Sequence, residues 1–95
     1  MSQRIVFMGT PEFSVSALKS IVNSSHEVLA VYSQPPNKAH RGQKIIPSSV
    51  EIFAKKSSLH LRTPVILDND EEYDFLKSLK PDIVIVIAYG KIIPK

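Results

Sequence analysis

A basic segment near the middle of the chain, SQPPNKAHRGQK at residues 33–44, carries side chains suited to binding anions. It contains Lys38, Arg41 and Lys44, and no acidic residue occurs anywhere in residues 29–50. Fixed positive charge without neighbouring acids favours a phosphate-bearing partner over an apolar one. A connection of this length is usually either functional or disordered, so a solvent-exposed basic loop remains the alternative.

Two shorter motifs could contribute to the same site. In MGTPEF, Thr10 is predicted to cap a helix whose first residue is Pro11, and a helix N-terminus attracts anions. In AYGKIIP, Gly90 permits a tight turn beside Tyr89, where a flat heterocycle could stack while the backbone binds its polar edge. The alternative is that both motifs are plain structural corners and that Phe13 only packs.

Other kinds of site are not supported. GTPEF has one glycine where a dinucleotide fingerprint needs more, and the next strand ends in Tyr32-Ser33 rather than in an acid. The three histidines are scattered, so no metal site is expected. No nucleophile with a matching base can be argued, so we expect no catalytic residue within these 95 residues.

The segments that would position these motifs have the pattern of an α/β protein. Residues 4–8, 28–33 and 83–88 are apolar runs, and a short strand is predicted at 59–61. Strands that are apolar throughout belong in a parallel sheet covered by helices. The predicted fold is therefore Rossmann-like, with its site at the carboxyl ends of the strands.

Two predicted helices carry capping signals. Ser48 with Glu51 and Asn69 with Glu72 have the spacing of capping boxes, in which each side chain satisfies a backbone N–H of the other residue. Apolar positions then follow at helical spacing and predict the buried faces: Val50, Phe53, Ala54, Phe75, Leu76 and Leu79. The first helix buries a similar face.

The strand at residues 83–88 should be central, yet the chain stops soon afterwards at Lys95. We therefore expect a partial sheet, truncated after the fourth strand. The exposed strand 83–88 could lead to self-association. The chain has no cysteine, no signal peptide and no segment long enough to span a bilayer, so a cytoplasmic domain without a membrane partner is expected.

Three segments taken together resemble the methionyl-tRNA formyltransferases: RIVFMGTPEF, SQPPNKAHRGQKIIPSSV and PDIVIVIAYGKIIPK. The resemblance implies formyl transfer from 10-formyltetrahydrofolate to the α-amino group of methionyl-initiator tRNA during translation initiation. It also implies that residues 1–95 are the N-terminal portion of the catalytic domain. The rest of that domain and a C-terminal β-barrel domain would be absent.

The resemblance also assigns site residues. It implies that the basic segment binds tRNA through Lys38, Arg41, Gly42, Gln43 and Lys44. Thr10 and Phe13 would lie near the aminoacyl end of the tRNA. The pterin of the folate would be held by Ala88, Tyr89, Gly90, Ile92 and Ile93. The catalytic groups of the family, an Asn and a His in an N-x-H-x-S-L-L-P signature and a later Asp, would lie beyond Lys95, so the isolated chain is expected to be inactive.

Two alternatives remain open at this point. One is a related formyltransferase that acts on a sugar nucleotide or another small amine, for which the basic segment would be incidental. The other is a non-enzymatic α/β module that binds tRNA or phosphate. Salt-dependent tRNA binding would argue against the first alternative.

Overall fold

The computed structural model describes residues 3–38, 45–64 and 69–90, which form an α/β sandwich around one parallel sheet. The elements follow in the order β1 (Arg4–Gly9), α1 (Glu12–Val22), β2 (Glu27–Tyr32), β3 (Asn37–Lys38), β4 (Ile45–Ile46), α2 (Ser49–Lys56), β5 (Leu61–Arg62), α3 (Asp70–Leu79) and β6 (Ile83–Ile87). The predicted fold class, a partial Rossmann-like sheet with flanking helices, is confirmed.

The sheet has the strand order β5-β2-β1-β6, and all of its pairings are parallel. Strand β1 lies between two partners, so that Phe7 is aligned with Val31 on β2 and with Ile85 on β6. Its residues from Ile5 to Gly9 are buried. This explains why the strand is apolar at every position rather than at alternate ones.

Each face of the sheet has its own hydrophobic core. The face under α3 contains Val6, Met8, Ala30, Tyr32 and Tyr89, against which Phe75, Leu76 and Leu79 pack. The face under α1 and α2 contains Phe7, Leu18, Val31, Val50 and Ala54, with Phe53 packed against them. The buried faces predicted for α2 and α3 are therefore confirmed.

Strand β6 pairs with β1 alone among the described strands, which makes it an outer strand of this sheet. Ile83, Val84 and Val86 are 42–45% exposed. These apolar side chains therefore leave an open hydrophobic surface along β6.

The connection from β2 to α2 differs from the predicted loop. Asn37 is aligned with Ile46 and Lys38 with Ile45, so β3 and β4 form a short antiparallel ribbon. Residues 39–44 lie outside the described part of the chain. The predicted strand at residues 59–61 begins later, at Leu61, and pairs with β2.

Within residues 3–38, 45–64 and 69–90, no helix combines the length and apolar character needed to cross a bilayer.

Candidate functional site

Three neighbouring strands end at the same edge of the sheet, because parallel strands all point their carboxyl ends one way. Strand β1 runs into Thr10, β2 runs into Ser33 and Gln34, and β6 runs into the corner formed by residues 88–90. Residues from three distant parts of the sequence therefore meet there. This edge is the candidate site.

Thr10 connects the segments that meet at this edge. Its hydroxyl donates a hydrogen bond of 2.7 Å to the carbonyl oxygen of Tyr89 and accepts one of 3.3 Å from the backbone N–H of Gln34. Its carbonyl oxygen accepts from the backbone N–H of Val50 at 3.3 Å. Thr10 therefore bonds to the ends of β2 and β6 and to the first turn of α2.

The predicted helix-capping role of Thr10 is wrong. Helix α1 begins at Glu12, its N-cap residue is Pro11, and no side chain caps it. The Thr10 hydroxyl bonds to Tyr89, which is 79 positions away in the sequence. A local capping rule could not anticipate this, because the competing acceptor arrives from another strand.

Gly9 allows β6 and α1 to approach β1 closely. A Cβ atom at this position would lie 2.8 Å from Cε2 of Phe7 and 2.9 Å from the carbonyl oxygen of Ile87. The Ser14 hydroxyl, on the first turns of α1, donates to the same Ile87 carbonyl at 2.7 Å. This contact fixes the end of β6 immediately before the corner.

The corner itself has an unusual backbone. Ala88 and Gly90 have positive φ angles of 53° and 94°. The φ angle of Gly90 favours glycine at this position. A Cβ atom at position 90 would also lie 2.5 Å from Nε2 of Gln34, at the flexible end of that side chain. The tight turn at Gly90 stays a prediction, since residues 91–95 lie outside the described part of the chain; Gln34 is the neighbour of Gly90.

The side chain of Tyr89 turns into the core. Tyr89 is 2% exposed, and its hydroxyl has no hydrogen-bond partner among the described residues. Burial, with a smaller contribution from the negative charge of Glu72, raises the pKa of Tyr89 to about 12. The phenol therefore stays protonated at neutral pH, with an unused donor beneath the corner.

A buried polar network lies under α3 on the same face of the sheet. The Tyr32 hydroxyl donates to Glu72 Oε1 at 2.8 Å, and Arg62 donates to both carboxylate oxygens at 2.9 Å. The Arg62 hydrogen bonds are the main cause that lowers the pKa of Glu72, while burial is the main cause that raises the pKa of Tyr32. The network ties β2, β5 and α3 together behind the site.

The local sequence pattern does not predict this network, because it indicates for Glu72 only a place at a helix start. A faint signal existed: Glu72 is the one acid of the run at residues 68–74 that falls on the same helical face as Phe75, Leu76 and Leu79. The identity of its partners depends on strand order, which a local pattern does not contain.

The structure brings together four of the predicted site residues: Thr10, Ala88, Tyr89 and Gly90. Phe13 lies on the first turn of α1 and is 65% exposed, so it is not packed into the core of the described residues. Lys38 belongs to β3. The remaining predicted positions lie outside the described residues: Arg41, Gly42, Gln43, Lys44, Ile92 and Ile93.

Comparison with known proteins assigns the family. Residues 3–95 match the family model described as formyl transferase. The chain belongs to the formyl transferase family. The Rossmann-like sheet and the corner after β6 are thus features of a formyl transferase domain.

Curated relatives of this formyl transferase chain carry the name methionyl-tRNA formyltransferase. The protein from Pelagibacter ubique is 52% identical over 96 aligned residues, covering 100% of this chain and 31% of its own length. The proteins from Ectopseudomonas mendocina and Prochlorococcus marinus (strain MIT 9312) are 48% and 53% identical, with 30% and 28% of their lengths covered. The chain therefore spans about three tenths of the length of these relatives.

This edge of the sheet combines polar and apolar features. It offers a glycine turn and hydroxyl-fixed backbone next to a hydrophobic core. Across the three described segments, no group of three or more side chains suits a metal ion.

Proposed function

We propose that this chain supplies the N-terminal part of the catalytic domain of a methionyl-tRNA formyltransferase. The reaction would transfer the formyl group of 10-formyltetrahydrofolate to the α-amino group of methionyl-initiator tRNA, in the cytoplasm, at translation initiation. The observation that carries the proposal is the sequence identity of about 50% with relatives of that name over nearly the whole chain.

The corner at residues 88–90 is the proposed binding place of the folate donor. Its fit rests on two features: Gly90 leaves no side chain between the backbone and a ligand, and Gln34 lies against it with a polar amide. A flat pterin presents polar edges that backbone groups can bind. Ile92 and Ile93 would add apolar surface, and the donor itself supplies the formyl group.

The basic segment is the proposed contact with tRNA. Strands β3 and β4 flank residues 39–44, which carry Arg41, Gly42, Gln43 and Lys44 in sequence. Positive charge near a phosphate backbone gives salt-dependent affinity, while contacts with a particular stem end give discrimination. Lys38 would contribute to the salt-dependent affinity. Thr10 and Phe13, at the start of the neighbouring helix, would face the aminoacyl end.

The decisive assay measures formyl transfer by the full product of the gene, supplied with 10-formyltetrahydrofolate and methionyl-initiator tRNA. We expect Arg41→Ala to reduce kcat/KM for initiator tRNA by more than tenfold and to weaken discrimination against elongator tRNA. Lys77→Ala, which removes an exposed charge at the last turn of α3, is the matched control and should change neither value. Efficient formylation of a sugar nucleotide instead of the tRNA would contradict the proposal.

The domain assignment leads to a second test. If residues 1–95 are only part of a catalytic domain, then the purified 95-residue chain should show no formyl transfer, because the catalytic Asn, His and Asp of the family would lie elsewhere. Steady production of formyl-methionyl-tRNA by this chain would contradict that assignment.

Self-association through residues 83–88 stays a prediction for the 95-residue chain. It is supported by the outer position of β6 and by the exposed side chains of Ile83, Val84 and Val86. An outer strand with apolar side chains favours pairing with another chain. A monomer in sedimentation, with fast hydrogen exchange across these residues, would contradict it.

A further inference from the structure

Thr10 lies between the two binding places proposed above. The Thr10 hydroxyl accepts a hydrogen bond from the backbone N–H of Gln34, the second residue after β2. It donates a hydrogen bond to the carbonyl oxygen of Tyr89 in the corner. The Thr10 hydroxyl therefore connects the corner at residues 88–90, where the folate is proposed to bind, with the beginning of the basic segment. No other described side chain bonds to both.

A second contact joins the same two segments. Nε2 of Gln34 lies where a Cβ atom of residue 90 would be, so the Gln34 side chain packs directly on the Gly90 backbone. Pro35 and Pro36 follow Gln34, and their fixed φ angles make this part of the chain stiff. A shift at Gln34 would thus be passed on toward β3 rather than absorbed locally.

Helix α2, which follows the basic segment and β4, is also bonded to Thr10. The Thr10 carbonyl accepts from Val50 N–H in the first turn of α2, just after β4 and Ser48. Ser48 in turn shares a hydrogen bond with Ser33 at the end of β2. Thr10 therefore bonds to both Gln34 and Val50. Its hydroxyl accepts from the N–H of Gln34, and its carbonyl oxygen accepts from the N–H of Val50.

We propose that Thr10 is a positioning residue that couples the two substrates, so that folate bound at the corner strengthens binding of methionyl-tRNA by the basic segment, and the reverse. This inference rests on the proposed function. Its physical basis is that the hydroxyl donates to the Tyr89 carbonyl and accepts from the Gln34 N–H, and both bonds keep good geometry only when the corner and Gln34 hold one relative position. A ligand that fixes the corner then reduces the freedom that the second ligand must remove.

Thermodynamic linkage makes the coupling measurable, because each ligand must change the affinity for the other by the same factor. The probe is tetrahydrofolate, the donor without its formyl group, so that no turnover occurs. Its dissociation constant is measured on the full gene product by titration, with and without saturating methionyl-initiator tRNA. The coupling factor is the ratio of the two constants.

We expect a coupling factor of about fivefold or more in the wild type. Thr10→Val keeps the shape but removes the hydroxyl, and should bring the factor close to one. Thr10→Ser keeps the hydroxyl and should retain the factor. Gln34→Ala removes the side chain from Gly90 while keeping the backbone bond, and should lower the factor in part, which provides a second test if Thr10→Val does not fold.

Ser14→Ala is the matched control. The Ser14 hydroxyl also donates 2.7 Å to a carbonyl at the end of β6, that of Ile87, but it makes no recorded bond to the basic segment. This variant should lose stability and keep the coupling factor. A general loosening of the sheet edge would lower the factor in Ser14→Ala and Thr10→Val alike, which would overturn the specific role of Thr10.

The remaining outcomes separate this inference from the proposed function. A wild-type factor of one, or a factor unchanged by Thr10→Val, overturns the coupling while binding of both substrates leaves the function intact. If Thr10 only touches a substrate, Thr10→Val weakens that substrate alone without changing the factor, and this too overturns the coupling. A wild-type protein that binds neither methionyl-tRNA nor tetrahydrofolate overturns the proposed function and the coupling together.

Discussion

The first turns of α2 and α3 are built on the same local pattern but have different surroundings. Ser48 accepts a hydrogen bond from Glu51 N–H at 3.0 Å, and Asn69 accepts one from Glu72 N–H at 2.9 Å. Both glutamates are buried, with 4% and 6% of their surface exposed. Up to this point the two helix starts are equivalent.

Their carboxylates differ in what they contact. Glu72 is held by Arg62 on both oxygens and by the Tyr32 hydroxyl. Glu51 Oε2 pairs with Lys55 at 2.9 Å, and the Lys55 side chain is 68% exposed. Within the part of the chain that the structure describes, Glu51 Oε1 has no partner. The reciprocal bond predicted from Glu51 to the Ser48 N–H is therefore not formed, and that capping box is only half complete.

The difference shows that a capping motif determines where a helix begins but not what its acidic residue does. Strand β5 places Arg62 beside α3, and β2 places Tyr32 there, so that Glu72 becomes the centre of a tertiary network. No such donors are recorded at Glu51. Burial without partners is unfavourable for a carboxylate, and burial with three charge-assisted bonds can be stabilising.

The largest effect is expected for Glu72→Gln, compared with the matched substitution Glu51→Gln. Loss of the Glu72 charge leaves the partly buried Arg62 with only the exposed carboxylate of Glu71, at 3.9 Å, as a counter-ion, and should reduce the free energy of unfolding by about 3 kcal/mol. Glu51→Gln should cost about 1 kcal/mol or less, because its partner Lys55 is exposed. The urea midpoints of the two variants measure this difference in stability. Equal shifts of the two midpoints would contradict the prediction.

The pH dependence sharpens the same comparison. The pKa of Glu72 is lowered in the folded state, so its stabilising contribution is present above the unfolded value of about 4.3 and is lost as pH falls through the folded value. The pKa of Tyr32 is raised, so its contribution is present below about 10 and is lost as pH rises further. The free energy of unfolding, measured with urea at a series of pH values, should fall at acid pH (the acid limb) and at alkaline pH (the alkaline limb).

The variants assign each limb. Glu72→Gln should reduce the loss of stability at acid pH. Tyr32→Phe should reduce the loss at alkaline pH, to which Tyr89 also contributes because its pKa is raised. An acid limb that persists unchanged in Glu72→Gln would show that other carboxylates are responsible for it.

Features that depend on local sequence could be predicted, whereas contacts that depend on the order of the strands could not. Periodicity and capping chemistry are local, and they were sufficient for the three helices and for β1 and β6. The Tyr32–Glu72–Arg62 network and the role of Thr10 depend on strand order, which brings together residues 40 and 79 positions apart. The β3–β4 ribbon was missed because two aligned pairs leave almost no periodic pattern.

The two N-cap side chains should differ by a smaller amount. Ser48→Ala and Asn69→Ala each remove one cap bond, which typically costs about 1 kcal/mol. Ser48 also bonds to the buried Ser33 hydroxyl, which would lose its partner, so Ser48→Ala should be the more destabilising of the two. The opposite order in thermal unfolding would indicate that Ser33 finds another partner.

The smallest effect is expected for Tyr89→Phe, which tests the other buried polar atom without a partner. Removing a hydroxyl that makes no hydrogen bond should leave the urea midpoint unchanged or raise it slightly. Tyr32→Phe is the matched comparison, since its hydroxyl bonds to Glu72 and its loss should lower the midpoint. A large loss in Tyr89→Phe would reveal a partner for that hydroxyl.

The position of β1 has a consequence for folding on the ribosome. Its two neighbours in the sheet are translated at very different times. Strand β2 follows after one helix, whereas β6 is translated only after α2, β5 and α3. Until β6 emerges, β1 presents an unpaired edge, and long-range parallel pairing is slow to form. Codons or chaperones that affect translation of residues 33–87 should therefore control how long the nascent chain is exposed to aggregation.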